Sequence, residues 1–347
     1  MSIKLQCPVC GKEKSQISVS EYDCDNCGFN NAYVRYFASA GGHELWLDSV
    51  NRARAEWNKR EEIHAAASVQ LYAGDNLIAL TDKNRRNITI ISGSGSILHE
   101  QDAAGFSACE RNYAVLYENG TVKVFGEDNS FGQKNTGSWK NIQSVLAAPN
   151  CTYGVTESGE VVYAGSLCSR AAAEWKNVRL LRAGNDSIVG LSRDGKVYME
   201  KDFGVPGAAD TVKGWSGITD IMASRDCVIG LSADGTVRFA GRQNDARAEA
   251  EAWRHITAIA LDNSFAYGLS DDGKVHMAGT CKAFLDRGRS SASEWSNVAS
   301  LSSNHAGIGA VDENGELLFA GTITGDLSRM KEAWNAEIRD GFRGETV

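Results

Sequence analysis

The chain has 347 residues, 42% hydrophobic and 23% charged, with 36 glycines, nine cysteines, three prolines and a formal net charge of −8. An ordinary apolar fraction over this length excludes a disordered tail, a collagen-like repeat and a disulfide-dense miniprotein. The acidic balance argues against a chain devoted to nucleic acid, whose phosphates call for clustered Lys and Arg. No run reaches eighteen apolar residues, so no membrane span is expected, and residues 1–20 lack the apolar core of a secretory signal. The expected setting is the cytoplasm, where nine cysteines read as metal ligands and buried thiols rather than bridges.

The first candidate element is a metal module. Cys7-Pro-Val-Cys10 and Cys24-Asp-Asn-Cys27 are two CxxC knuckles separated by thirteen residues, each followed by a glycine, Gly11 and Gly28. Such a turn aims two sulfurs at one centre, and four thiolates in tetrahedral geometry suit a structural Zn²⁺ with no open position for catalysis. Ile17 and Val19 suit a short hairpin, and Tyr33, Val34, Tyr36 and Phe37 a third strand. The segment resembles the zinc-ribbon family over roughly residues 3–37. Its four Lys/Arg (Lys4, Lys12, Lys14, Arg35) balance four acids (Glu13, Glu21, Asp23, Asp25), which favours protein contacts over nucleic acid. Next, residues 43–66 lack Pro and Gly and space Trp46, Val50, Ala53 and Trp57 on one face, which predicts an amphipathic connecting helix.

From residue 68 the chain repeats. Turn dipeptides recur at Asn119-Gly120, Ser158-Gly159, Asp194-Gly195, Asp234-Gly235, Asp272-Gly273 and Asn314-Gly315, each followed by a β pattern. Trp139, Trp175, Trp215, Trp253 and Trp295 each lie twenty residues before a turn glycine, whereas the interval from a turn glycine to the next tryptophan varies between 16 and 22. Constant length implies strands in fixed register, and variable length implies loops on one side of a repeated architecture. Fifteen residues after tryptophan comes a small residue, Gly154, Gly190, Gly230, Gly268 or Ala310, which suggests backbones crowding around an axis. With earlier copies at Leu71–Gly93 and Phe106–Gly126, seven units predict a mainly β fold, a seven-bladed β-propeller. Trp334 would begin a truncated eighth unit able to complete a blade started by N-terminal strands. The expected domains are a zinc ribbon over 1–40, a connecting helix over 41–67 and the propeller over 68–347.

The pattern small residue, Leu, Ser, Asp-Gly, Val, aromatic, Ala-Gly resembles the repeats of the regulator-of-chromosome-condensation family. Gly126 to Gln133 is similar to that family's fuller G-x-N-x-x-G-Q ending, and the degenerate remainder looks more like bacterial members such as the β-lactamase inhibitory propellers. The resemblance implies a fold and, as one reading, guanine-nucleotide exchange or regulation of a small GTPase.

No catalytic constellation emerges. The six histidines share no repeat phase, and the glycines at 126 and 132 lack a phosphate-loop lysine. Cys151 and Cys227 share the phase twelve past tryptophan, which suggests buried core thiols; Cys168 and Cys281 fall in variable loops. Those loops run over 127–138, 166–174, 200–214, 242–252, 280–294 and 322–333. The fifth is slightly basic through Lys282, Arg287 and Arg289. Phe131, Phe203, Phe284 and Leu285 are apolar side chains in otherwise polar loops and form the candidate partner-contact set. The sequence thus favours a non-enzymatic protein-interaction scaffold, with the ribbon as a second contact or cap. The alternatives are a GTPase regulator and a nucleic-acid-associated regulator acting through the ribbon.

Overall fold

A computed structural model describes residues 3–6, 13–16, 22–23, 30–31, 67–71, 77–82, 87–92, 97–109, 112–126, 129–148, 150–184, 187–202, 204–304, 307–313, 316–321, 328 and 331–332. The chain divides into two compact units, Met1–Ala65 and Ala66–Val347. In the first, β1 (Ile3–Gln6) pairs antiparallel with β2 (Glu13–Gln16), and β3 (Tyr22–Asp23) with β4 (Asn30–Asn31). Cys7, Cys10, Cys24 and Cys27 lie outside the described residues, in the two stretches of sequence that join these paired strands. The helix expected over 43–66, the hairpin expected at Ile17 and Val19 and the third strand at 33–37 also lie outside them.

The second unit holds seven antiparallel sheets in chain order. The first has four strands, β5 (Ala67–Leu71), β6 (Leu77–Asp82), β7 (Asn87–Ser92) and β8 (Ile97–Glu100). Six three-stranded sheets follow: β9 (Ala103–Ala108), β10 (Asn112–Tyr117) and β11 (Val122–Gly126); β12 (Ile142–Ala148), β13 (Cys151–Thr156) and β14 (Val161–Ala164); β15 (Val178–Ala183), β16 (Ile188–Ser192) and β17 (Val197–Met199). The last three are β18 (Ile218–Ala223), β19 (Val228–Ser232) and β20 (Val237–Ala240); β21 (Ile256–Leu261), β22 (Phe265–Ser270) and β23 (Val275–Gly279); β24 (Val298–Ser303), β25 (Gly307–Asp312) and β26 (Leu317–Gly321). First strands pack on one another in succession, β9 on β12, β12 on β15, β15 on β18, β18 on β21 and β21 on β24. The circuit closes through the first sheet, since β24 and β25 pack on β5 while β7 packs on β9. Closure therefore uses one continuous segment, residues 67–100; Trp334 lies outside the described residues. This is a β-propeller.

Successive sheets are joined by backbone rather than by a shared strand ladder. The second-to-third strand turns are three-residue loops ending in glycine at positive φ, as at Gly120, Gly159, Gly195, Gly235 and Gly273. Each turn glycine's carbonyl accepts from the first-strand amide of the next sheet: Ile142, Val178, Ile218, Ile256 and Val298, at 2.9 to 3.1 Å. The residue just before each donating strand, Asn141, Asn177, Gly217, His255 or Asn297, is itself at positive φ and presses on the preceding turn. A Cβ on Gly120 or Gly159 would lie 2.8 Å from the Cα of Asn141 or Asn177, so the turn needs glycine for approach as well as for φ.

The five tryptophans explain the small-residue phase differently from the expectation of crowded backbones. A Cβ on Gly154, Gly190, Gly230 or Gly268 would lie 2.7 to 2.9 Å from the ring of Trp139, Trp175, Trp215 or Trp253. What crowds these glycines is an indole of the same sheet. Each tryptophan amide in turn donates to the carbonyl three residues back, Thr136, Ala172, Val212, Ala250 or Ala292, and all five of those residues are buried. Tyr198 stacks on Trp175 with centroids 5.5 Å apart, and His276 lies tilted beside Trp253 at 6.0 Å. The tryptophans thus pack the sheets.

The seat is testable against an internal control. Gly230→Ala should lose about 1–3 kcal/mol by overpacking against Trp215. Gly137→Ala, whose Cβ would meet nothing within 4 Å, should change stability little. Equilibrium denaturation of both variants checks the contrast.

Candidate functional site

At the end of the ring opposite the glycine turns, the loop that leaves the third strand meets the first-to-second strand hairpin of the same sheet in the sheets of β12–β14, β18–β20 and β21–β23. These loops form a rim, held by a disulfide in one sheet and by guanidinium–carboxylate pairs in the other two.

In the sheet of β12–β14 the tie is a disulfide between Cys151, at the start of β13, and Cys168, past the end of β14. This overturns the expectation that all cysteines outside the metal module are thiols. The bridge sits beside a hydrogen bond of 2.6 Å from the Ser169 amide to the Tyr153 hydroxyl. Among the described residues the free cysteines are Cys109, Cys227 and Cys281; Cys109 is buried, and so is Cys227, as its repeat phase predicts. Burial pushes the Cys227 thiol up to about 12, which makes it inert as a nucleophile.

In the sheet of β18–β20 the tie is ionic. Arg247 opens the 3₁₀ segment Ala246–Ala252, and its guanidinium reaches Asp226 at 2.7 Å and Asp245 at 2.6 Å. It also donates to Ser224 Oγ at 3.2 Å and to the Asn263 carbonyl of the next sheet at 3.3 Å. Burial works against the charge on Asp245, but the Arg247 guanidinium and backbone amide hold its carboxyl below the usual carboxylate range.

In the sheet of β21–β23 the tie is deeper. Asp262, with a fully buried side chain, accepts at Oδ1 from the amides of Ser264 and Phe265, and at Oδ2 from the Tyr267 hydroxyl and Arg289 Nη1 at 2.8 and 2.9 Å. Arg289 lies over the Phe265 ring at 4.9 Å and also donates to the carbonyls of Leu285 and Asp286. It thereby pins the short helix α1 (Ala283–Asp286) to the hairpin. Burial, then the Asp262 charge, pushes the Tyr267 hydroxyl far up, so it stays a neutral donor. Arg289 was expected to add positive charge to the loop surface; it is instead 4% exposed and paired.

The fuller ending Gly126 to Gln133 serves the same purpose after the sheet of β9–β11. Gln133 is 1% exposed; its Oε1 accepts from the Phe131 amide and its carbonyl from the Thr152 hydroxyl of the next sheet. The Phe131 carbonyl accepts from the Ser166 amide at 2.8 Å.

Of the candidate contact residues, Leu285 stands 45% exposed on α1, and Phe131 is half-buried. Phe203 and the side chain of Phe284 lie outside the described residues. The structure adds Leu167, which is 62% exposed beside the bridged Cys168. A lone leucine in a short loop carries no periodic signal, and its display depends on a bond between residues 17 apart. The ties had a findable signal: Gln133, Ser169, Arg247 and Arg289 each lie six residues before a tryptophan. The constant segment therefore begins before the tryptophan, and only the first part of each interval varies. Among the described residues no cluster of His, Cys, Asp and Glu could hold a metal ion, and no helix is long and apolar enough to cross a membrane.

No family model matches the chain, and no curated protein matches it. Solved structures do. The CRINKLY WD40 ectodomain of the Arabidopsis thaliana receptor kinase ACR4 aligns with a TM-score of 0.57 at 14% identity, covering 75% of this chain and 96% of that one. The entire ectodomain of the Physcomitrella patens receptor kinase CR4 gives 0.55 at 12% identity, with 74% and 73% covered. A structure of Kap60 bound to yeast RCC1 (Prp20) gives 0.49 at 15% identity, with 62% and 69% covered. The two receptor-kinase ectodomains carry the likeness, and the likeness is one of fold.

The ion pairs make two predictions. Arg289→Ala strands the buried Asp262 and should cost about 3–5 kcal/mol, whereas Asp262→Asn with Arg289→Met should recover part of that loss in the same denaturation assay. Asp245 titrates lower in the folded chain than its ordinary value of 3.8. The stability it confers is therefore complete above that value and lost as pH falls through the lower, folded value. Asp245→Asn should flatten the acid limb of a pH–stability curve.

Proposed function

We propose that the propeller is a non-enzymatic scaffold that binds a protein partner at its rim, with Leu167, Leu285 and the half-buried Phe131 supplying apolar contacts. One observation carries this reading. Two of the three large apolar side chains exposed among the described residues stand on rim loops, one fixed by a disulfide and the other by a buried ion pair. Loops held before binding lose less entropy on binding, and apolar anchors ringed by polar residues dominate interface energies.

The amino-terminal unit is proposed as a structural zinc module with Cys7, Cys10, Cys24 and Cys27 as ligands. Its support is the pairing of β1 with β2 and of β3 with β4, which brings together the ends of both stretches that contain a CxxC knuckle. Bound zinc would supply folding free energy to a unit too small to bury much surface. Purified full-length chain should carry one zinc, lost in a Cys24→Ser variant, as read by elemental analysis.

The scaffold reading is tested by comparing the proteins cross-linked to the full chain in its native cell with those cross-linked to a Leu167→Glu, Leu285→Glu double variant. The partner common to wild-type preparations should bind the double variant about tenfold or more weakly, with thermal stability unchanged. Undiminished binding would remove the rim from the account.

A further inference from the structure

The rim ties differ in one respect that concerns chemistry rather than strength. In the sheets of β18–β20 and β21–β23 the loops are held by guanidinium–carboxylate pairs, to which a reductant is indifferent. In the sheet of β12–β14 the loop is held by a covalent bond that two electrons break. The contrast is local. Cys227 occupies in its own sheet the repeat position of Cys151, yet the residue three past Gly241 is Asn244, where the residue three past Gly165 is Cys168. Cys227 accordingly remains a free buried thiol beside Ser224.

The two bridged sulfurs are not equally placed. Cys151 is 4% exposed at the start of a buried strand, whereas Cys168 is half-buried on a loop whose preceding residues, Ser166 and Leu167, are exposed. Attack in thiol–disulfide exchange is governed by access to the sulfur, so an incoming thiolate meets Cys168. We propose that Cys168 is a thiol–disulfide exchange site, and that its bond to Cys151 sets whether the Leu167 loop is held on the rim. The consequence for binding rests on the rim being the docking surface; the exchange chemistry does not.

With a dithiol reductant the step balances as follows. A reductant thiolate bonds to Cys168 Sγ, the bond between the two protein sulfurs breaks, and Cys151 leaves with the electron pair and takes up a proton. The reductant's second thiol, after losing its proton, attacks its own sulfur in the mixed disulfide. Cys168 departs as a thiolate and is protonated. Two electrons and two protons pass to the protein, and the reductant becomes a disulfide. Two single hydrogen bonds then flank Leu167, from Ser166 to the Phe131 carbonyl and from Ser169 to the Tyr153 hydroxyl. Segments held so lightly open locally without global unfolding. A bridge of this kind in a reducing compartment is one that exchanges rather than one that persists.

Exposed Arg170, two residues beyond Cys168, provides a probe of the loop. The full chain, oxidised or treated with dithiothreitol, is digested briefly with trypsin, and its thiols are labelled and read peptide by peptide. In the oxidised chain, Cys151 and Cys168 should escape labelling and cleavage after Arg170 should be slow. After reduction both should label, and that cleavage should accelerate by roughly tenfold, because cleavage follows the population of the open loop, with the far-ultraviolet circular dichroism unchanged. Cys168→Ser should be cut at the fast rate with or without reductant, and Cys281→Ser should behave as wild type. Labelling of Cys168 without reductant, or equal cleavage in both states, would overturn the proposal. No partner enters this experiment, so its failure leaves the scaffold reading standing, and a failed search for partners leaves the exchange site standing.

Discussion

The hydrogen bond from the first amide of each sheet to the turn glycine of the sheet before it is the joint on which the propeller depends. Sheets in a ring share no continuous ladder, so something else must set their spacing. Here one carbonyl does so five times, from Gly120 to Ile142 through Gly273 to Val298. The residue before each donating strand closes the joint from the other side. Its carbonyl takes the amide that follows the second strand of its own sheet, as with Asn141 and Glu157 or Asn297 and Glu313. Glycine turn, tryptophan and left-handed residue are thus parts of one fastening. Its rigidity is why twenty residues always separate a tryptophan from the next turn glycine.

A ring locked by backbone at one end leaves the other end free to differ from sheet to sheet. The rim uses that freedom in its ties as well as in its loops. A disulfide, an arginine shared by two carboxylates, an arginine buried on a fully enclosed aspartate and a glutamine lock occupy corresponding places. None of the ion pairs is a strong argument for stability, because desolvation offsets much of their attraction. Their evident effect is positional: each holds a particular loop against a particular hairpin. The arginines are therefore better understood as determinants of loop geometry than as surface charge.

The repeat was legible because its marks are residues that no other type replaces cheaply: glycine at positive φ, and glycine under an indole. The reason for the second mark was not legible. Sequence shows that Gly154 and Gly230 are small, and a crowding backbone and a crowding ring leave the same trace. The ties were hidden for a related reason. Position six before tryptophan is occupied by Gln133, Ser169, Ala209, Arg247 and Arg289 in turn, and Ser169 and Ala209 bond there through the backbone amide, which leaves no mark in the sequence. The bridge from Cys151 to Cys168 escaped because cysteine count and compartment speak about pairing in general, whereas proximity across a hairpin is a property of the fold. Of the two leucines exposed on rim loops, Leu285 was singled out in the sequence by its polar surroundings, while Leu167, the more exposed of the two, was not.

Carboxylates serve geometry at both ends in ways that composition alone conceals. Asp234 and Asp272, beside their turn glycines, accept from the amides of Thr236 and Lys274. Hydrogen bonds from Thr236 hold the Asp234 carboxyl below its usual range, and those from Lys274 and Ser270 bring Asp272 to about 2. Asp194 is lowered in the same way, by Ser192 and then Lys196. These carboxylates are committed to turn geometry, and two of them are paired there with lysines, Asp194 with Lys196 and Asp272 with Lys274. At the rim the acids Asp226, Asp245 and Asp262 are matched by arginines instead. Beside exposed Leu285, Arg289 and Asp262 are both buried, so that pair adds no exposed charge to the loop it holds.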